Sequence, residues 1–192
     1  MNSPDPRLAN GWEPTYEPAI LTQALPVELC QDAIAIAQKI GFESSPVFSA
    51  EGPTEIPYYR RSETAWLKPD DARDLYQHIT GTLQKLNNEC YRFSIYGMDK
   101  IQIIRYEPGC FFNEHCDLGS AHAANRKISL LVQLSPPEDY VGGDIVLAGG
   151  ITVPKTRGGG CVFPAWVPHR VEEITSGTRY SLAAWAKGTY FL

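Results

Sequence analysis

The chain has 192 residues, with 17 Lys+Arg against 22 Asp+Glu and a formal net charge of −5. A single domain spanning residues 1–192 is expected at ~100–200 residues per domain, and a 43% hydrophobic, 20% charged composition excludes a disordered or fibrous chain. The acidic balance offers no basic face for a phosphate backbone, so nucleic acid is not an expected partner. No apolar run approaches the ~18–20 residues of a membrane span.

Residues 1–14, MNSPDPRLANGWEP, lack the basic start and apolar stretch of a signal peptide and form a loose lead-in. Residues 15–90 are expected to give helical support. Pro26 opens an amphipathic helix with Leu29, Ala33, Ile36, Ala37 and Ile40 at helical spacing, closed by Gly41. A second helix starts near Pro69-Asp70-Asp71, where carboxylates suit the positive end of the helix dipole. It carries Leu75, Ile79, Leu83 and Leu86 on one stripe and ends around Asn87-Asn88.

Over residues 91–192 the period becomes two. Strands are expected at 92–96, 100–106, 128–134, 144–147, 160–163, 169–174 and 179–185, with Gly or Pro in most gaps. Two helices followed by about seven short strands predict an α+β protein, a jelly-roll core with N-terminal helices packed on one sheet. The segment 47–59, with Gly52, Pro53 and Pro57, is expected to form a mobile flap. Cys30, Cys90, Cys110, Cys116 and Cys161 are odd in number and contain no CxxC pair, which suits a reducing, cytoplasmic setting.

Two of the four histidines stand in informative places. In His115-Cys116-Asp117 an extended backbone turns the imidazole and the carboxylate to one side and Cys116 to the other. His169, behind Pro168, can supply a third ligand. Two neutral imidazoles and one carboxylate are the ligand set of non-haem Fe(II) oxygenases, which leaves coordination positions open. Arg179, ten positions later, enters an apolar strand, and a guanidinium there can fork onto the far carboxylate of a diacid that chelates the metal. His78 is expected to be structural, and His122 to lie in a loop.

These elements stand in a series that resembles the 2-oxoglutarate- and Fe(II)-dependent oxygenases of the prolyl-hydroxylase type, including the bacterial PKHD-type hydroxylases. The series is Arg105-Tyr106-Glu107-Pro108-Gly109, His115-Cys116-Asp117, Ser129 to Ser135, Tyr140-Val141-Gly142-Gly143-Asp144, Phe163 to His169, and Gly177-Thr178-Arg179-Tyr180-Ser181. The resemblance implies a double-stranded β-helix with His115, Asp117 and His169 on iron and Arg179 on the distal carboxylate of 2-oxoglutarate. It adds Tyr106, Gln133 and Ser181 as cosubstrate contacts, Gln133 standing where some relatives have tyrosine. Asp144, where relatives often have Glu, is expected to be a structural acid. Arg126, Arg61, Trp66 and Trp166 are expected to contact the substrate.

The implied activity is hydroxylation of an unactivated C–H bond using O₂, with succinate and CO₂ as coproducts and ascorbate as an accessory reductant. The expected substrate is a peptidyl residue such as proline, with a free amino acid or small metabolite as the alternative. A catalytically silent jelly-roll binding module and a zinc hydrolase with the same ligands are the competing classes. The second lacks an HExxH-type helix.

Overall fold

The computed structural model describes residues 14–190 except 46, 50, 51 and 55, and only the backbone at 47–49 and 52–54. Most of the expected lead-in therefore lies outside the described residues. Strand β1 (Ala19–Leu21) precedes helix α1 (Val27–Ile40). The short strands β2 (Glu43–Ser44), β3 (Val47–Ser49), β4 (Gly52–Thr54), β5 (Arg60–Arg61) and β6 (Glu63–Leu67) then lead to α2 (Arg73–Leu86). Next come β7 (Ile95–Met98), β8 (Ile101–Tyr106), β9 (Phe111–His115), β10 (Arg126–Gln133), β11 (Tyr140–Gly142) and β12 (Ile145–Leu147). The chain closes with β13 (Ile151–Thr152), β14 (Gly160–Pro164), β15 (His169–Val171), β16 (Ile174–Gly177) and β17 (Arg179–Gly188).

The strands form a major antiparallel sheet in the order β1-β14-β10-β17-β8-β6-β2, with β7 alongside β17, and a minor sheet in the order β13-β12-β15-β9-β5. Strands β11 and β16 pair separately. Within the expected flap, β3 and β4 pair as a backbone hairpin. Among the described residues, no helix is long and apolar enough to cross a membrane.

Alternation sorts the side chains of the major sheet onto two faces. Ile101 and Ile103 of β8, Leu130 and Val132 of β10, Val162 of β14, and Leu182, Ala184 and Ala186 of β17 share one core with the helices. Cys30, Ala33 and Ala37 of α1 and Leu75, Ile79 and Leu83 of α2 complete it, which puts both helices on one sheet. The opposite face carries Tyr106, Leu131, Phe163, Ala183 and Trp185, packed against Ile145, Leu147 and Val171 of the minor sheet. The site described below opens from this second core.

Several local expectations shift. Ile40 is exposed, because α1 ends there and Gly41, at φ +96°, turns the chain away. Asp71 accepts the Lys68 N–H in the turn ahead of α2 rather than serving the helix end. Helix α2 continues as a π-turn over Asn87–Tyr91, where the Asn87 side chain exchanges hydrogen bonds with the Phe93 backbone. The first expected strand therefore moves from 92–96 to 95–98. The expected strand 169–174 is two strands, split at Glu172-Glu173.

Candidate active site

His115 closes β9 and sits in direct register with His169, which opens β15. Asp117 follows two residues beyond the end of β9. Its Oδ1 is 3.9 Å from His115 Nε2 and its Oδ2 is 3.7 Å from His169 Nε2. All three ligand atoms lie within 4.8 Å of one another. Metal–ligand bonds of about 2.0–2.1 Å set neighbouring donors roughly 3 Å apart, so a small side-chain closure brings the three onto one ion.

Backbone carbonyls fix both tautomers. The His115 Nδ1–H donates to the Asn113 carbonyl at 2.8 Å, and the His169 Nδ1–H donates to the Val167 carbonyl at 3.1 Å. Each Nε2 is left as an inward lone pair, the form a metal takes. Burial, reinforced by the neighbouring His169, lowers His115 to about 3, so the ring is neutral near pH 7. Burial works against the Asp117 carboxylate, but His169, His115 and Arg126 together with the Ser129 hydroxyl hold it below its usual range. The Ser129 Oγ–H donates to Asp117 Oδ2 at 2.6 Å. Two imidazoles and an oriented carboxylate suit a ferrous ion with open coordination positions.

Arg179 is fully buried on β17. Its Nε and Nη2 both donate to Gln133 Oε1, at 3.1 and 2.8 Å, and its Nη1 donates to Ser181 Oγ at 3.4 Å. Its guanidinium lies 5.2 Å from the centre of the Tyr106 ring, its neighbour in register on β8. Among the described residues no carboxylate pairs with it. A buried cation with only neutral partners is costly unless an anion joins it, which suits a diacid.

A cavity of about 260 Å³ opens beside the ligands, lined among others by Tyr59, Arg60, Trp66, Gln102, Arg126 and Trp185. Arg126 and Trp66 thus stand in the cavity wall. The Arg126 guanidinium lies 3.8 Å from the centre of the Trp185 ring and its Nε donates to Asp99 at 3.1 Å.

Arg61 and Trp166, also expected at the substrate, are not among the residues that line this cavity. Strand β5 alternates, so Arg60 turns inward over the Phe112 ring at 4.5 Å, while Arg61 turns out toward the Gly109 carbonyl. The Trp166 ring packs edge-on against Tyr16 and Phe93. The Cys116 thiol donates to the Trp166 carbonyl at 3.1 Å. Asp144 pairs with Lys155 at 3.3 Å, and His78 binds the Ala24 carbonyl at 3.0 Å, both structural contacts. His122 lies in a short 3₁₀ turn that also lines the cavity.

Sequence reasoning passed over Arg60, Gln102, Ser129 and Trp185. For the last two the signal was present: Ser129 shares a face with Gln133, and Trp185 shares one with Arg179, by simple alternation.

Residues 101–187 match the family model for the 2OG-Fe(II) oxygenase superfamily. A PKHD-type hydroxylase of Acaryochloris marina is 35% identical over 86 residues, which cover 43% of this chain and 39% of that protein. A PKHD-type hydroxylase of Parvibaculum lavamentivorans is 29% identical over 156 residues, covering 79% of this chain and 68% of the relative. The chain thus spans well under half of the first relative and about two thirds of the second. A prolyl hydroxylase from Trichoplax adhaerens, solved in complex with a hypoxia inducible factor oxygen degradation domain peptide fragment, shares the fold. Its TM-score is 0.73 at 19% identity, covering 90% of this chain and 84% of that one. Over residues 101–187 the sequence is similar to the 2OG-Fe(II) oxygenase superfamily, and over most of its length the chain shares the fold of a prolyl hydroxylase.

Proposed function

We propose that this chain is an Fe(II)- and 2-oxoglutarate-dependent dioxygenase that hydroxylates an unactivated C–H bond of a peptidyl residue such as proline. The observation that carries this is the pairing of two features between the same two sheets: a three-ligand cluster, and a buried Arg179 whose partners among the described residues are neutral. The same strand pattern supports a double-stranded β-helix and a single domain over 1–192. The five free cysteines suit a reducing, cytoplasmic setting.

His115, Asp117 and His169 hold the ferrous ion through two neutral nitrogens and one carboxylate oxygen. When bound, the ion and the 2-oxo acid supply the oxidising power drawn from O₂, with release of succinate and CO₂. Ser129 orients the Asp117 carboxylate. Arg179 forks onto the distal carboxylate of the diacid, with Gln133 and Ser181 fixing the guanidinium and Tyr106 lying against it. Trp66 and Trp185 wall the cavity and exclude water, and Arg126 is presented there as a donor to a substrate carbonyl.

The peptide class is supported by the Trichoplax adhaerens likeness. A free amino acid is the second reading, favoured by a cavity of only about 260 Å³, below the usual range of ligand pockets, which is roughly 300–1,000 Å³.

Anaerobic addition of Fe(II) and 2-oxoglutarate is expected to give a visible charge-transfer band that bleaches when air is admitted. Absence of the band sinks the proposal and leaves the silent module or the zinc hydrolase. A screen of peptides and free amino acids for stimulated succinate release, with mass spectrometry for an added oxygen, identifies the substrate class; ascorbate dependence is read in the same assay.

A further inference from the structure

Two polar groups beside Arg179 are buried without an acceptor among the described residues: Gln133 Nε2 and the Tyr140 hydroxyl, whose neighbour Arg179 can only donate. Gln133 is fully buried and Tyr140 only 5% exposed. The geometry of Gln133 is one-sided. Both bonds from Arg179 arrive at Oε1, so the amide group turns its N–H donors away from the guanidinium with nothing to receive them. Buried polar atoms are ordinarily satisfied, and an orphan beside a functional group marks a missing partner.

Tyr140 reaches the same place from another element. It opens β11, whose pairing with β16 sets Tyr140 opposite Gly177. A side chain at position 177 would strike the Asp139 carbonyl at 2.0 Å and the Tyr140 Cα at 2.8 Å, so only glycine lets the strands approach this closely. Burial pushes the phenol up, and the adjoining Arg179 guanidinium draws it back down. The hydroxyl is thus a neutral donor at pH 7 with no acceptor.

One cation with no anionic partner and two neutral donors with no acceptor among the described residues, all buried, are complementary to one chemical group. A carboxylate offers about four lone-pair sites on two oxygens and no hydrogen to donate. We propose that Tyr140 is a specificity-determining residue whose hydroxyl, together with Gln133 Nε2 and Arg179, receives the distal carboxylate of the 2-oxo acid. This inference rests on the cosubstrate reading given above and adds Tyr140 to it. The slot then takes dicarboxylic 2-oxo acids and discriminates against monocarboxylic ones of equal length.

Calorimetric titration of the full chain in Mn(II) tests this without turnover, using 2-oxoglutarate and 2-oxopentanoate as probes. Tyr140→Phe is expected to weaken 2-oxoglutarate about 10- to 100-fold, the loss of one hydrogen bond to a charged group, and to leave 2-oxopentanoate unchanged. Gln133→Glu supplies an internal carboxylate to Arg179 and is expected to abolish the preference for 2-oxoglutarate, with thermal stability retained. If Tyr140→Phe binds 2-oxoglutarate as wild type does while Arg179→Met loses it, the role of Tyr140 is overturned and the cosubstrate reading stands. If wild type itself shows no preference for 2-oxoglutarate over 2-oxopentanoate, the cosubstrate reading fails and this inference fails with it.

Discussion

Ser129 and Gln133 lie four positions apart on one face of β10, and each holds a different end of the site. Ser129 donates to the Asp117 carboxylate, while Gln133 accepts from the Arg179 guanidinium. About 3.3 Å of rise per residue separates their backbones by roughly 13 Å. Removing the Ser129 hydroxyl should loosen the carboxylate without touching a ligand. Ser129→Ala is expected to lower metal affinity about 10- to 100-fold with the fold intact, measured by Mn(II) titration.

Acidity should act on the metal-free protein through His115. Its folded value is depressed to about 3, chiefly by burial, while the unfolded chain titrates near about 6.5. The unfolded state therefore binds more protons between these limits. The contribution of His115 to stability is complete above pH ~6.5 and is lost as pH falls toward about 3. Denaturant titrations in chelator at pH 7.5 and 5.0 are expected to show this loss in wild type and a smaller one in His115→Gln. Equal losses in the two proteins would remove His115 as the cause.

Gly143 gives Arg179 its room. The residue sits at φ +66°, and a Cβ there would lie 2.9 Å from Arg179 Cδ and 2.3 Å from Ile174 Cδ1. Gly143→Ala combines left-handed strain with displacement of the guanidinium. The expected cost is about 1–3 kcal/mol, read by thermal unfolding, along with weaker 2-oxoglutarate binding.

The two adjacent arginines of β5 make a matched pair. Arg60 lies over Phe112 and lines the cavity, while Arg61 reaches outward to the Gly109 carbonyl. Arg60→Ala is expected to reduce substrate-stimulated succinate release at least tenfold. Arg61→Ala is expected to stay near wild type in that assay and within about 0.5 kcal/mol in stability, as exposed positions usually do. Reversed effects would mean that the register of β5 is wrong.

How far the molecule is legible in its sequence follows from strand length and burial. Strands β8, β10 and β17 announce themselves because both faces are filled, so apolar residues run together while polar ones such as Gln133 and Arg179 mark the inner side. The His115–Asp117 pair is legible for a related reason: extended backbone makes i and i+2 neighbours. Strand β5 has only two residues, too few for alternation to show which of Arg60 and Arg61 faces the cavity. Trp166 precedes His169 closely, but the turn between β14 and β15 swings its ring onto Tyr16 and Phe93. Tyr140 stands in the matching series, but the role proposed for it is not legible there, because it depends on β16 pairing from more than thirty residues away.

The split personality of β10 has a consequence for how this protein tolerates change. Ile128, Leu130 and Val132 anchor the helices, whereas Ser129 and Gln133 serve ligands and contribute nothing to that apolar layer. Substitution of Ile128, Leu130 or Val132 should therefore damage the fold, whereas substitution of Ser129 or Gln133 should leave folded chains that bind their ligands poorly; Leu131, between them, belongs to the second core. A lineage could retune the diacid it accepts by drifting at Gln133 while its scaffold stays untouched.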